Sequence, residues 1–529
     1  MAVFELVVAL LFVGAVLSAW ARRMHVPYPA LLALAGAALA LLPSVPSVTL
    51  DPELALTLFV APVLLDAAFD ASPRDLKQNW RSIGSLALVA VGLTVVAVAV
   101  VARWVVPGLP WPAAIALGAI VAPPDAAAAT AVLRQLHPPH RVLVILEGES
   151  LFNDATALLI YRLAVTATVT GAFSGWSAVP LLVLVSLGSI VLGVVLARLV
   201  LFATVRIQDV ATSVIVQFLS TFAVWMLAER LGLSGIITMV VFAIQVARRA
   251  PDLMPARLRV PSYAVWEVVV FVLNVLAFIL VGLQLKPILQ RLNREELITY
   301  AAAAAVVCVT VIVVRIIWVM GYAAVGRWIM RRSGKRSSQP ERYPSFRMGT
   351  VIAWCGMRGI VTLAAALALP DGGSSTAFPY RDLILFTAFC VVLGTLVFQG
   401  TTVRPLMRAL AIRDDGSVER EVRLARAETA RAALAAVDAV ETGEEMVTLL
   451  RREYEVRLRH AETGVTTPEP SQDPGKPAFI STRRQALAAE RRTLFDLRAR
   501  GVIGDDAFHR VEEELDWAEV HAEGAARSL

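Results

Sequence analysis

Apolar residues fill one run of near-spanning length after another along the chain, each closed by a short polar loop, until about residue 410. A helical span needs about 20 predominantly apolar residues. By that measure thirteen segments qualify or come close, at 3–20, 27–46, 54–71, 83–106, 111–133, 142–170, 178–204, 211–230, 233–247, 264–286, 297–326, 348–369 and 380–403. Only Val205–Val210 and Glu229–Leu233 separate the seventh, eighth and ninth. After Arg404 the pattern changes. Residues 411–529 are rich in Ala, Arg and Glu, and Glu419–Val437 and Arg483–Arg500 read as amphipathic or charged helices. Thr463–Pro477, with its four prolines, reads as a linker. The pattern predicts an all-α membrane protein of about thirteen transmembrane helices, spanning residues 1–410, with a helical tail over 411–529.

Composition agrees and narrows the class. Hydrophobic residues make up 57% of the chain and charged residues 17%, with a mean hydropathy of +0.67, which excludes a soluble domain for the first 410 residues. Lys and Arg exceed Asp and Glu by 49 to 43. The excess lies in alternate loops, so it reads as membrane orientation rather than nucleic-acid binding. Arg22/Arg23, Arg74/Lys77/Arg81, Arg134/Arg141, Arg206, Arg248–Arg259 and Arg327–Arg347 fall on one side. The loops at Ser44–Asp51, Pro107–Pro110 and Gly171–Ser177 hold no Lys or Arg, although Lys286–Arg294 holds three. This predicts a multi-pass protein of the cell (inner) membrane with its N-terminus outside and its tail cytoplasmic. The apolar stretch Ala2–Ala19 has no basic residues before it and reads as a retained helix rather than a signal peptide. Cys308, Cys355 and Cys390 lie in apolar segments and lack metal-ligand spacing, so free thiols are expected.

Candidate chemistry sits where polarity interrupts the runs. The sixth segment carries Glu147, Glu149, Ser150, Asn153 and Asp154 within one apolar helix. Such groups cost several kcal/mol in a bilayer unless each has a partner or a watery cavity. Ser150 and Asp154 are four apart and share a face; Glu149 and Asn153 share another about 100° away. A hydroxyl, a carboxylate and water are hard ligands, suited to Na⁺ or a similar cation. The simpler reading is a polar seam in which the acids pair.

Two other segments contain breaks. In the fifth, Ala122-Pro123-Pro124-Asp125 removes two backbone donors before four alanines. Non-helical backbone at that depth needs protein or water around it. The freed carbonyls can bind a cation, and Asp125 can cap the half-helix that follows. In the twelfth, Gly356 and Gly359 flank Met357 and Arg358. The two segments are seven apart and so run in opposite directions, the pattern of an inverted-repeat transporter with its site at the crossing. Arg358 needs an anionic partner, and Glu149 is the expected one. Asp66 in the third segment is placed to face the ion cavity from a second bundle. Glu229, Ser234, Asn274, Gln284 and Arg315 read as helix-packing or interfacial groups, and Glu147 has no expected partner.

Taken together, Glu149-Ser150-Leu151-Phe152-Asn153-Asp154, Pro123-Pro124-Asp125, Gly356-Met357-Arg358-Gly359 and Gln399-Gly400-Thr401 resemble the NhaP-like and eukaryotic-exchanger branch of the monovalent cation/proton antiporters. The resemblance implies a homodimer in which a core bundle (about 83–170 and 297–403) carries two crossed, broken helices. A dimerisation bundle (about 3–71 and 211–286) and a linking helix (178–204) complete the fold. It also implies that Asp154 binds the ion and the proton, with Asn153 as its partner. Ser150 and Asp66 would help coordinate Na⁺, Asp66 standing where Glu is more usual. Glu149 and Arg358 would form a structural ion pair, and Asp125 would be the acid of the broken helix. Pro-Pro-Asp-Ala replaces the Thr-Asp-Pro of some relatives, so Pro124 keeps its carbonyl as a ligand while a threonine hydroxyl is lost. The expected activity is exchange of Na⁺, K⁺ or Li⁺ for H⁺ by alternating access, serving pH and sodium homeostasis. The Asn153-Asp154 pair points to electroneutral exchange. No cofactor and no enzymatic chemistry are expected; a K⁺/H⁺ antiporter and a gated cation channel are the alternatives.

Overall fold

In the computed structural model the described residues are all except 1, 25, 44, 46–50, 171–174, 333–344, 372–376, 441–443, 464–476 and 528–529, and their regular structure is helical. Most of Ser44–Asp51 and Thr463–Pro477, and parts of Gly171–Ser177 and Arg327–Arg347, lie outside the described residues.

Thirteen helical segments follow the apolar runs. They are α1 (Ala2–Met24), α2 (Tyr28–Ala40), α3 (Pro52–Asp70), α4 (Pro73–Val105), α5a (Trp111–Val121) with α5b (Ala126–Leu133), α6 (His140–Thr170) and α7 (Gly175–Thr204). Then come α8 (Val210–Arg230), α9 (Gly235–Leu253), α10 (Ala256–Leu283), α11 (Arg294–Arg332), α12a (Phe346–Trp354) with α12b (Ile360–Leu367), and α13 (Arg381–Ala409). Among the described residues, nine segments are long and apolar enough to cross a membrane. The other four have evident reasons not to qualify. α2 is short, α6 carries the polar cluster, α9 ends in Arg248, Arg249 and Asp252, and α12 is broken.

Local chemistry sets the narrow boundaries. Thr212 N donates to the Asp209 carboxylate at 2.8 Å and Ile237 N to Ser234 Oγ at 3.4 Å, capping α8 and α9. Gly232, at φ 71°, makes the left-handed turn between them. α4 begins ten residues before its apolar run because Ser72 caps it, accepting from Asp75 N at 3.3 Å.

The segments pack in two sets. In one, α10 lies against α2, α7 against α9, and α9 against α3; in the other, α4, α5a, α6, α11, α12 and α13 pack around each other. α2 and α10 approach most closely at Gly36 and Gly282, where a Cβ on either would stand 2.2 Å from backbone oxygen of the other helix. α13 packs on α2, and α6 on α3 and α9, which joins the sets.

The tail forms α14 (Ser417–Asp438), α15 (Glu444–Thr463), α16 (Pro477–Ala499) and α17 (Asp505–Arg527). Val422, Leu494, Leu497, Phe508 and Val511 form one of its apolar cores. It is not free of the membrane unit. Arg74 meets Glu421 at 3.0 Å, and His140 at the start of α6 lies between Asp75 (3.2 Å) and Asp506 (3.1 Å). Arg259 of α10, 1% exposed, donates to Glu512 at 2.8 Å and also to Asp516.

Candidate functional site

The two breaks meet. Pro123 and Pro124 offer no N–H to α5a, so the helix stops at Val121 and restarts at Ala126. Asp125 caps the restart, its Oδ1 accepting from Ala127 N at 2.8 Å. Between α12a and α12b the link Cys355–Gly359 is unwound. Asp125 N donates to Met357 O at 2.7 Å, tying link to link. A Cβ on Gly359 would stand 1.5 Å from Asp125 Oδ2, so a side chain there cannot coexist with this crossing. The Asp125 carboxylate thus lies at the start of both α5b and α12b, where helix dipoles are positive.

Arg358 does the converse. Its Nε donates to Val121 O at 3.0 Å, Nη2 to Ala122 O at 3.2 Å, and Nη1 to Gly356 O. The guanidinium therefore sits at the C-terminal ends of α5a and α12a, where carbonyls are unpaired and the dipoles negative. This corrects the expected Glu149–Arg358 pair. The donors of Arg358 are spent on helix ends, and Glu149 is bound by Arg315 of α11 instead. Arg315 Nη2 donates to Glu149 Oε2 at 2.8 Å, and Nη1 to the other oxygen. The same guanidinium reaches Ile352 O at 3.0 Å, at the end of α12a. Gly356 makes room for it: a Cβ there would come within 2.6 Å of Arg315 Cδ. The available sign of this role was the position of Arg315 deep within the 297–326 run.

The polar residues of α6 turn toward the first break. Ser150 Oγ accepts from Ala126 N at 3.3 Å, adding a second cap to α5b. Asn153, fully buried, donates from Nδ2 to Pro124 O at 2.9 Å, while its Oδ1 has no partner among the described residues. Pro124 O, expected to be an ion ligand, is here held by that amide. Glu147 pairs with Arg134 at 3.2 Å, and Asp70 lies 3.9 Å from the same arginine. Asp66 is half-buried on α3, and the charged groups around it are Asp70, Arg134, Glu267 and Glu147. Asp154, by contrast, has Asp125 as its charged neighbour.

The acids of α5b and α6 therefore divide. Asp125 is held by helix N-termini, Glu147 by Arg134 and Glu149 by Arg315. Asp154 is 6% exposed and has no hydrogen bond or ion pair among the described residues. A buried carboxylate in that position must take up a proton or a cation. Asn153, the next residue along the helix, holds the Pro124 carbonyl, and both bring oxygens suited to a hard ion.

Comparison with known proteins places the chain in a family. The family model described as sodium/hydrogen exchanger, transmembrane, matches residues 7–409. The chain is similar to a protein of Mycobacterium tuberculosis (strain ATCC 25618 / H37Rv) named as an uncharacterized Na(+)/H(+) exchanger. The two are 32% identical over 98% of this chain and 96% of that one. It is 29% identical to a Bacillus subtilis (strain 168) protein named a sodium, potassium, lithium and rubidium/H(+) antiporter, covering 89% of this chain and 71% of that one. The fold is similar to that of the sodium proton antiporter MjNhaP1 from Methanocaldococcus jannaschii. There the TM-score is 0.60 at 18% identity, over 78% of this chain and 99% of that chain. With crossed broken helices in a thirteen-segment helical unit, and a family match over nearly all of that unit, the chain belongs to the sodium/hydrogen exchanger family of membrane antiporters.

Proposed function

We propose that the chain exchanges one Na⁺ for one H⁺ across the cell membrane, with Asp154 as the carboxylate that binds either ion but never both. The observation that carries this reading is the lone state of Asp154 among the acids of α6 and the α5 break, which are otherwise compensated. With Glu149 neutralised by Arg315, and Asp125 and Arg358 set against helix dipoles, Asp154 is the charge that changes with loading. Loaded with Na⁺ or with H⁺ the site carries the same charge and is free to cross; empty, it carries one more negative charge, which the bilayer disfavours. That rule couples the two fluxes, and one acid beside Asn153 makes the exchange electroneutral.

Movement in this reading is a rocking of the set α4–α6 and α11–α13 against α1–α3 and α8–α10, with α7 as the linking helix. The second set forms the homodimer. Ser150 and Asp66 complete the ion shell, Asp66 approaching from α3, which packs on α6. The basic loops put the N-terminus outside and the tail in the cytoplasm, and the physiological role is pH and sodium homeostasis.

The Bacillus subtilis relative is named for four cations, and hard oxygen ligands alone discriminate weakly among them. A proton-flux series with Na⁺, Li⁺, K⁺ and Rb⁺ gradients across vesicles holding the purified protein tests the substrate. Flux with Na⁺, unaffected by a voltage clamp, is expected. Flux with K⁺ but not Na⁺ would replace the substrate, and voltage-sensitive flux would remove the one-for-one stoichiometry.

A further inference from the structure

α13 runs along the unwound link of α12 in a register set by two hydrogen bonds. Arg358 N donates to Thr395 Oγ1 at 3.0 Å, and Trp354 Nε1 donates to Thr402 Oγ1 at 2.9 Å. Thr395, Gln399 and Thr402 stand at i, i+4 and i+7, a single stripe of the helix. Gln399 therefore lies opposite residues 355–357, between the two bonds. Its neighbour Gly400 fits this register, since a Cβ there would lie 3.4 Å from Met357 Sδ.

Gln399 is 0% exposed, and neither Oε1 nor Nε2 has a hydrogen-bond partner among the described residues. A primary amide brings two donors and an acceptor, and a buried group left unpaired costs about 1–3 kcal/mol. Leucine at this place would avoid that cost, so the amide needs a use. Two carbonyls of the link are already engaged, Met357 O by Asp125 N and Gly356 O by Arg358. The ligand must be small, because Gln399 is fully buried, and must both donate and accept. Arg358 of the link, whose backbone N bonds Thr395 one turn along α13 from Gln399, brings a positive charge that disfavours a cation on this face. Water meets all three conditions.

We propose that Gln399 holds a buried water against the 355–357 link and is a positioning residue for the exchange site. Through that water the amide steadies the link, keeping Met357 O on Asp125 N. Asp125 then stays at the start of both half-helices, and Pro124 O stays on the Asn153 amide. The inference rests on the proposed exchange at Asp154 and assigns a use to the Gln399-Gly400-Thr401 motif, which that exchange leaves unexplained.

The test uses full-length Gln399→Met and Gln399→Leu in vesicles, beside wild type. Both replacements fill the space but cannot hold water. The apparent KM for Na⁺ should rise about tenfold, as for loss of outer-shell partners of an ion site. The maximal rate should hold within about twofold, and protons should compete better, moving the pH profile to the alkaline side. A purely structural role would lower the maximal rate and leave KM and the pH profile in place. Unchanged KM and pH profile in whichever variant folds overturns the inference, as does an experimental map with no water at the wild-type amide. Absence of exchange in wild type is a different result, and it would count against the proposed function instead.

Discussion

Arg315 Nη2 lies 2.8 Å from Glu149 Oε2, and both side chains are almost fully buried. The bond joins α11 to α6, and the contact of the same guanidinium with Ile352 O brings in α12a. Arg315→Met should leave Glu149 as an uncompensated buried charge, at about 3–5 kcal/mol. Thermal unfolding in detergent should show a large fall in midpoint, with the double variant Glu149→Leu/Arg315→Met closer to wild type than the single one. A single variant as stable as wild type would contradict the pairing.

Gly359 is the tightest point of the crossing, with Asp125 Oδ2 occupying the place of a Cβ. Gly359→Ala should force the two links apart and slow exchange by on the order of tenfold to a hundredfold. Gly321→Ala, where nothing lies within 4 Å, should be near neutral in the same flux assay. Equal rates for both variants would count against the crossing as the seat of the activity.

These two cases also mark how far the sequence could be read. Runs of apolar residues expose thirteen segments because a bilayer tolerates little else. Pro123, Pro124, Gly356 and Gly359 expose the breaks because they act on their own backbone. Asp125 as a cap follows from the same local chemistry. The partner of Arg358 was not legible, since it is a set of unpaired carbonyls at helix ends, which no residue type announces. Glu149–Arg315 spans 166 residues and Arg259–Glu512 spans 253, and such pairings depend on packing that periodicity does not encode. Glu147–Arg134, across a short turn, was within reach of sequence reading.

Arg259 has two tail carboxylates, Glu512 and Asp516, as counter-ions at a position 1% exposed. Arg259→Ala should release α17 from the membrane unit. Hydrogen exchange across Asp505–Arg527 should quicken while the apolar segments keep their protection. Unchanged protection of α17 would show that apolar contacts alone hold it.

Docking of the tail should also respond to pH. His140 precedes the apolar run of α6; burial disfavours its charge, but bonds to Asp506 and Asp75 outweigh that and push it up to about 10. A histidine raised in this way stabilises the docked state fully below its ordinary value of about 6.5 and loses that contribution as pH rises through about 10. Protease resistance of the tail should therefore weaken between these limits, and His140→Gln should flatten the dependence. A wild-type tail equally resistant at pH 6 and at pH 10 would remove the His140 clasp.

The central claim concerns Asp154, and the most direct measurement is Na⁺-driven proton flux in vesicles holding wild type or Asp154→Asn. Asparagine keeps the size of the side chain but can neither release a proton nor offer a charge to the cation. Wild type should change the internal pH when a Na⁺ gradient is imposed, and the folded Asp154→Asn protein should give no flux above that of empty vesicles. Full exchange by Asp154→Asn would contradict the account.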